Sequence, residues 1–311
     1  MNEQILSEEM QQNSLPSLDG SWEKSDRSLN AAATFGLFGV GAIYFTAQSV
    51  LLIIAIVINQ IVSSAGKQPV KSIDEMTSFI RAYGHSIQIA LLISQYCFML
   101  VPTIWLVKRW HTMNVKSYIR FEFKSVWQIL LAVVGTLAIL PTSIFIENAV
   151  MRFFPMPDIF RKMGEEIFKA YSFEGFLWLI LVVCITPAIC EETLFRGYVQ
   201  RTFERTMGWK SVLLVGVIFG LYHMQPLGLI SLSMLGIFLG YLFYRSKSLL
   251  PSMAAHFTNN FIAIYLLYKT PKIGGIDLAG TAQIPVVWLI VSVVLTLLII
   301  TIYEISYKKY S

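Results

Sequence analysis

The sequence predicts an all-α, polytopic membrane protein with about eight transmembrane helices that enclose a polar cavity. Hydrophobic residues make up 55% of the 311 positions, and the mean hydropathy is +0.62. Soluble domains are usually about 45–50% apolar, even with glycine counted. The apolar runs are also long and continuous, whereas the strands of a membrane barrel alternate between apolar and polar residues. The sequence therefore favours a helical bundle in a bilayer.

Crossing a bilayer takes about 20 mostly apolar residues, and six stretches approach or exceed this length. They are residues 36–62, 86–107, 126–150, 175–195, 229–244 with its flanks, and 284–306. Two shorter stretches, 211–224 and 249–268, are interrupted by His, Asn or Pro and complete the predicted eight.

Residues 1–32 are polar, contain no apolar signal-peptide core, and are predicted to form a disordered tail before a membrane domain at 33–311. Segments 151–174 and 196–210 mix charged and aromatic residues, which is typical of helices at the membrane interface. When both termini are placed in the cytoplasm, the segments on the cytoplasmic side contain more Lys and Arg than the segments on the outer side. This bias accounts for the net charge of +5 without a nucleic-acid partner. We expect a bacterial inner membrane.

The stretch "CEETLFRGY", residues 190–198, places charges at the end of an apolar run. Such residues cost about 2.5–3.5 kcal/mol each at the centre of a membrane helix, so they are functional candidates. Glu192 and Arg196 are four positions apart and can pair on one helix face. Glu191 points about 100° away and lacks that partner. We therefore expect Glu192 to be structural and Glu191 to be the acid or base.

Two further apolar stretches carry polar side chains at helical spacing. "FGLYH" ends in His223, and "HFTNN" places His256 and Asn260 four positions apart. Alone, each histidine could be a hydrogen-bonded packing group, and Asn259 could bond between helices. Together with Glu191 they supply a base, a group that orients water and donors for a developing oxyanion. This combination is typical of hydrolysis.

The remaining polar candidates have simpler interpretations. His85 and His111 are predicted at helix ends near the membrane interface, and the three cysteines are predicted to be small buried hydrophobic residues. The adjacent Glu165 and Glu166 are predicted to be a solvated cluster, because position 170 is Ala rather than Arg. The cysteines are Cys97, Cys184 and Cys190.

Taken in order, "EETLFR", "FGLYH" and "HFTNN" resemble the motifs of the CPBP family of intramembrane proteases, which includes CAAX-processing and bacteriocin-processing enzymes. The resemblance covers about residues 175–265. It implies an endopeptidase that acts inside the membrane on a peptide or a lipidated protein. It also implies that Glu191 is the general base, that His223 activates water, and that His256 and Asn260 hold the oxyanion. Glu192 with Arg196 would brace the site.

The resemblance leaves the metal open. Glu191, His223 and His256 would suit a zinc site of the His₂Glu type, but the H-E-x-x-H motif is absent. We therefore favour a glutamate peptidase without a cofactor. Two other classes also remain open, namely a non-catalytic scaffold or immunity protein and a proton-coupled transporter. Convergence of the motifs requires the helix of Glu191 to continue past Arg196 towards Arg205, and the helix of His223 to be short.

Overall fold

The structure is a computed structural model that describes residues 17–62, 73–155, 164, 166–269, 272–273, 276–277 and 284–310. Nearly all of this part of the chain is helical, apart from two short antiparallel strands, Lys272–Ile273 and Ile276–Asp277. The predicted all-α polytopic architecture is confirmed.

The described helices are numbered in chain order. They are α1 (Leu29–Val62), α2 (Ile73–Gln95, Tyr96–Leu100, Val101–Leu106 and Val107–His111, continuous), α3 (Val115–Tyr118), α4 (Val126–Phe153), α5 (Phe173–Leu179, Ile180–Ile185, Thr186–Glu192, Thr193–Gln200 and Arg201–Met207, continuous), α6 (Lys210–Tyr222), α7 (Leu229–Ser246), α8 (Leu250–Lys269) and α9 (Val286–Tyr310). Six of them, α1, α2, α4, α5, α7 and α9, are long and apolar enough to cross a membrane. The two shorter predicted stretches correspond to α6 and α8.

Helix α5 is the centre of the bundle and packs against α1, α2, α6, α7 and α8. It contains two π-helical segments, Ile180–Ile185 and Thr193–Gln200. Pro187 is the second residue after the first segment. Proline has no backbone N–H and cannot make the normal helical bond, and a π turn accommodates such a break without ending the helix. The helix therefore runs 35 residues, past Arg196 to Met207, as convergence of the motifs requires.

The prediction that 196–210 lies at the interface is wrong for residues 196–200. Every residue from Thr193 to Gln200 is buried, because this segment packs against α1, α6 and α7. Hydropathy alone could not show this, since the segment contains Arg196 and Gln200, each of which donates to a backbone carbonyl oxygen of α7.

Helices α6 and α7 approach each other closely through small residues. A side chain at Gly216 would lie 2.4–2.7 Å from atoms of Ile237, and one at Gly236 would lie 2.5 Å from the Gly216 carbonyl oxygen. Small residues permit such close helix packing in membranes. The approach brings the Gly236 carbonyl group to the side of α5 that carries Arg196.

The prediction that residues 1–32 form a disordered tail is wrong from residue 17 onward. Residues 1–16 lie outside the part of the chain that the structure describes. Trp22 is only 8% exposed, with its ring 4.8 Å from that of Trp110. Backbone N–H groups of this segment donate to carbonyl oxygens at the end of α2. Glu23 binds both Arg205 of α5 and His111. His111 is the last residue of α2, at a helix end as predicted, and its side chain is fully buried.

The structure also bears on the predictions for the cysteines, for His85 and for the adjacent glutamates. Cys184 and Cys190 are buried as predicted, but Cys97 is exposed on the outside of α2. His85 is exposed beside the Trp178 ring, 4.9 Å away. Glu166 accepts a hydrogen bond from the Tyr171 hydroxyl. Glu165 and residues 156–163 of the predicted interfacial segment lie outside the described residues.

Candidate active site

The predicted site residues come from three separate parts of the chain that meet at α5. Glu191, Glu192 and Arg196 are on α5, His223 directly follows α6, and His256 and Asn260 are on α8. Helix α6 ends at Tyr222, and the chain then turns sharply, with Met224 in the left-handed region at φ 50°. The short helix required by the sequence argument is therefore present. It leaves His223 at the depth of Glu191.

Glu191 faces both histidines with one carboxylate oxygen. Its Oε2 lies 3.8 Å from His223 Nε2 and 4.0 Å from His256 Nε2. Both distances exceed that of a direct hydrogen bond. This oxygen is buried and has no hydrogen-bond partner among the described residues. A buried carboxylate oxygen in that position requires a donor, and a water molecule between these groups would supply one.

Both imidazoles are oriented by their other nitrogen. His223 Nδ1 lies 2.7 Å from the Phe219 carbonyl oxygen, and His256 Nδ1 lies 2.8 Å from Glu192 Oε1. Because both partners are acceptors, both Nδ1 atoms must carry the proton. In the neutral rings the Nε2 atoms that face Glu191 are then unprotonated. Each Nε2 becomes a donor when its ring is protonated.

Glu192 and Arg196 form the predicted (i, i+4) pair, with 2.7 Å between Oε1 and Nη1. Both side chains are fully buried. The Arg196 guanidinium also donates to the Gly236 carbonyl oxygen at 2.9 Å and lies 4.5 Å from the centroid of the Phe219 ring. Through these contacts Arg196 joins α5 to α6 and α7, and Glu192 joins α5 to His256 on α8.

No hydrogen bond of the described residues joins Asn260 to the other five predicted site residues. Its Nδ2 donates to the Val183 carbonyl oxygen at 2.8 Å, and its Oδ1 accepts from Asn259 at 3.1 Å. Val183 lies in the first π-helical segment of α5. One of the two amide hydrogens of Asn260 is thus used to fasten α8 to α5. The catalytic roles assigned to all six residues stay predictions.

Glu191, His223 and His256 carry the donor atoms of a zinc site, but their side chains are not grouped as zinc ligands are. Two imidazoles and a carboxylate are a common set of zinc ligands, and the contacts of both Nδ1 atoms are those seen behind metal-bound histidines. However, no three His, Cys, Asp or Glu side chains in the described part of the chain are grouped closely enough to hold an ion.

Sequence reasoning missed two partners of the site. Gln95, the last residue of the first segment of α2, donates from Nε2 to Glu191 Oε1 at 3.0 Å. The Gly236 carbonyl group of α7 accepts from Arg196. A glutamine within the apolar stretch 86–107 was a signal for Gln95, because amides are costly in a membrane helix without a partner. A backbone carbonyl group leaves no sequence signal.

Helices that enclose a buried carboxylate and two imidazoles define a candidate intramembrane hydrolase. Residues 173–262 match the family model described as Type II CAAX prenyl endopeptidase Rce1-like. The match spans α5 through most of α8 and includes all six predicted site residues. It confirms the resemblance to the CPBP family of intramembrane proteases and supports an intramembrane endopeptidase activity in general. Comparison with curated proteins and with solved structures finds no significant match to either.

Proposed function

We propose that the protein is a glutamate-type intramembrane endopeptidase in which Glu191 activates the water that attacks a peptide bond. The observation that carries this proposal is the position of Glu191 Oε2. This buried oxygen lies within 4.0 Å of imidazole nitrogens from two other helices and has no partner among the described residues. The description of the family model that matches residues 173–262 names an endopeptidase, which supports the proposal.

The first step is attack by water. A water molecule that donates one hydrogen to Glu191 Oε2 and the other to His223 Nε2 can contact both groups, because 3.8 Å is shorter than two hydrogen bonds end to end. Glu191 removes a proton as the water oxygen bonds to the peptide carbonyl carbon. The carbonyl oxygen takes the negative charge. Glu191 then passes the proton to the departing amine as the C–N bond breaks.

The second requirement is a donor for the oxyanion. His256 meets it in the protonated form, in which Nε2 donates while Nδ1 stays bound to Glu192. The buried carboxylate of Glu192 orients the ring, in the manner of the acidic member of a catalytic triad. Arg196 holds Glu192 in place. The second amide hydrogen of Asn260 is the other proposed donor.

The bilayer and a peptide are the expected partners. We propose that the site opens towards the cytoplasm, that both termini are cytoplasmic, and that the membrane is a bacterial inner membrane. The positive-inside bias supports this orientation. The name of the matched family makes a prenylated C-terminal peptide the first substrate to test, with an unmodified membrane peptide as the other option.

The test uses purified protein in liposomes with two quenched fluorescent peptides, one ending in a farnesylated CAAX sequence and one without the farnesyl group. Glu191→Gln removes the base and should lower kcat by about 10²–10⁴-fold. Glu166→Gln is the control, because Glu166 also belongs to a pair of adjacent glutamates but lies outside the site. Its kcat should match that of the wild type. Full activity of Glu191→Gln would refute the proposal. Electrogenic flux that survives Asn260→Ala, without peptide cleavage, would indicate a transporter. Full cellular complementation by Glu191→Ala would indicate a scaffold.

A further inference from the structure

The contact between Gln95 and Glu191 joins the candidate site to a helix outside the family-matched segment. Gln95 is buried on α2, 96 positions before Glu191, and its Nε2 donates to Glu191 Oε1 at 3.0 Å. It is the only described side chain with a hydrogen bond to Glu191. The remainder of the site comes from residues 191–260, so this bond depends on how α2 packs against α5.

The bond determines which carboxylate oxygen is available. Oε1 is occupied by Gln95, so Oε2 is the oxygen that faces His223 and His256. A glutamate side chain loses rotamer freedom when it is fixed in one position. The hydrogen bond from Gln95 offsets part of this loss for Glu191 before substrate binds.

The local structure of α2 holds the amide in this position. Gln95 is followed at once by the π-helical segment Tyr96–Leu100, which packs against the Thr186–Glu192 segment of α5. π segments often occur at functional sites, because the extra residue changes the direction of the neighbouring side chains. Gln95 Oε1 is also buried without a partner among the described residues. The Tyr44 hydroxyl is the other side-chain group that interacts with the Gln95 amide.

We propose that Gln95 is a positioning residue for the general base: it fixes Glu191 so that Oε2 points at the water site between the two imidazoles. The inference rests on the proposed function. A side chain of equal length without a donor should leave Glu191 free to rotate. A displacement of about 1 Å at a reacting group can cost about 100-fold in rate. We therefore expect Gln95→Met to lower kcat by about 10- to 100-fold with KM within about twofold.

Gln88 provides a matched control on the same helix. It lies seven residues earlier, hence on the same face of α2, and is similarly buried. It donates to the Ile167 carbonyl oxygen and accepts from Trp178 Nε1. Gln88→Met therefore breaks two hydrogen bonds outside the site. It should lower the thermal midpoint at least as much as Gln95→Met but keep kcat within about threefold of the wild type.

A second variant gives a readout that a structural role would not produce. Gln95→Glu replaces the donor by a carboxyl group of the same size. When both carboxyl groups are ionised they repel, and when one proton is bound between them a hydrogen bond forms again. Activity of this variant relative to Gln95→Met, measured at each pH, should rise at least about tenfold as the pH falls from about 8 to about 5.5.

The ratio of the activities of Gln95→Glu and Gln95→Met is used because the other titratable groups around Glu191 are present in both variants. Their effect on the pH dependence therefore cancels in the ratio. Those groups are His223, His256, Arg196, Tyr44, Tyr222 and Cys190. The peptides are the farnesylated and unmodified probes described above.

The outcomes separate the two proposals. Loss of kcat in Gln95→Met with recovery of Gln95→Glu at low pH supports the inference. If Glu191→Gln is inactive but Gln95→Met keeps kcat within threefold of the wild type, or if the ratio does not change with pH, the inference is overturned and the proposed function stands. A wild type that cleaves neither probe, or an active Glu191→Gln, removes the proposed function and this inference together.

Discussion

Arg196 offers the sharpest test of how the site is held together. Its guanidinium is fully buried, 2.7 Å from Glu192 Oε1 and 2.9 Å from the Gly236 carbonyl oxygen, and lies over the Phe219 ring. Removing one partner of a buried ion pair leaves an uncompensated charge, which costs about 3–5 kcal/mol. We expect Arg196→Met to lower the free energy of unfolding by that amount.

The double variant tests the cause. Glu192→Gln together with Arg196→Met leaves no buried charge at this position, and the amide oxygen can still accept from His256. We expect the double variant to be about 2 kcal/mol more stable than Arg196→Met alone. It should remain below the wild type, because the Gly236 carbonyl group loses a charged donor and the Phe219 ring loses its cation.

The assay is unfolding in mixed micelles by increasing sodium dodecyl sulfate, followed by circular dichroism of the helices. Lys124→Met is the control for loss of a cation, because its pair with Glu122 is about half exposed and should contribute less than about 1 kcal/mol. A double variant that is less stable than Arg196→Met would refute the reasoning. It would mean that Glu192 is satisfied without the guanidinium.

The other predictions concern packing, pH and metal. Gly216→Ala should destabilise the protein by about 1–3 kcal/mol, because a side chain there meets the backbone of α7, whereas Gly39→Ala, with open space around it, should be neutral or stabilising. Burial raises the pKa of Glu23, but hydrogen bonds from Arg205 and His111 outweigh this and hold it below its ordinary value of 4.5. The stability difference between wild type and Glu23→Gln should therefore be complete at pH 7 and disappear as the pH falls below 4.5; an unchanged difference in acid would contradict this. Peptide cleavage should be insensitive to o-phenanthroline; a loss reversed by zinc would instead assign a metal.

The membrane fold could be predicted because hydropathy follows directly from composition. Apolar runs of about 20 residues are forced to be helices in a bilayer, where every backbone polar group must be satisfied within its own segment. The structure has helices at all eight predicted stretches. The motif spacing also predicted the Glu192–Arg196 pair, since residues four apart share a helix face. Such statements depend on one helix at a time.

Contacts between helices were beyond that reasoning. The same rules gave no partner for His111 and placed residues 17–32 in a loose tail, because a polar side chain gives no sign of a partner far along the chain. Glu23 supplies that partner for His111. Gln95 likewise reaches Glu191 only because α2 packs on α5.

The sequence by itself determined that this protein is a helical bundle in a membrane with a carboxylate, two imidazoles and an arginine at helical spacing. Only the tertiary structure decided that Oε2 of Glu191 faces both imidazoles while Oε1 is held by an amide. The physical reason is that periodicity specifies the face of each helix, whereas the depth and rotation of neighbouring helices are set by their packing. In this protein the packing depends on the π segments of α2 and α5 and the close contact of α6 with α7.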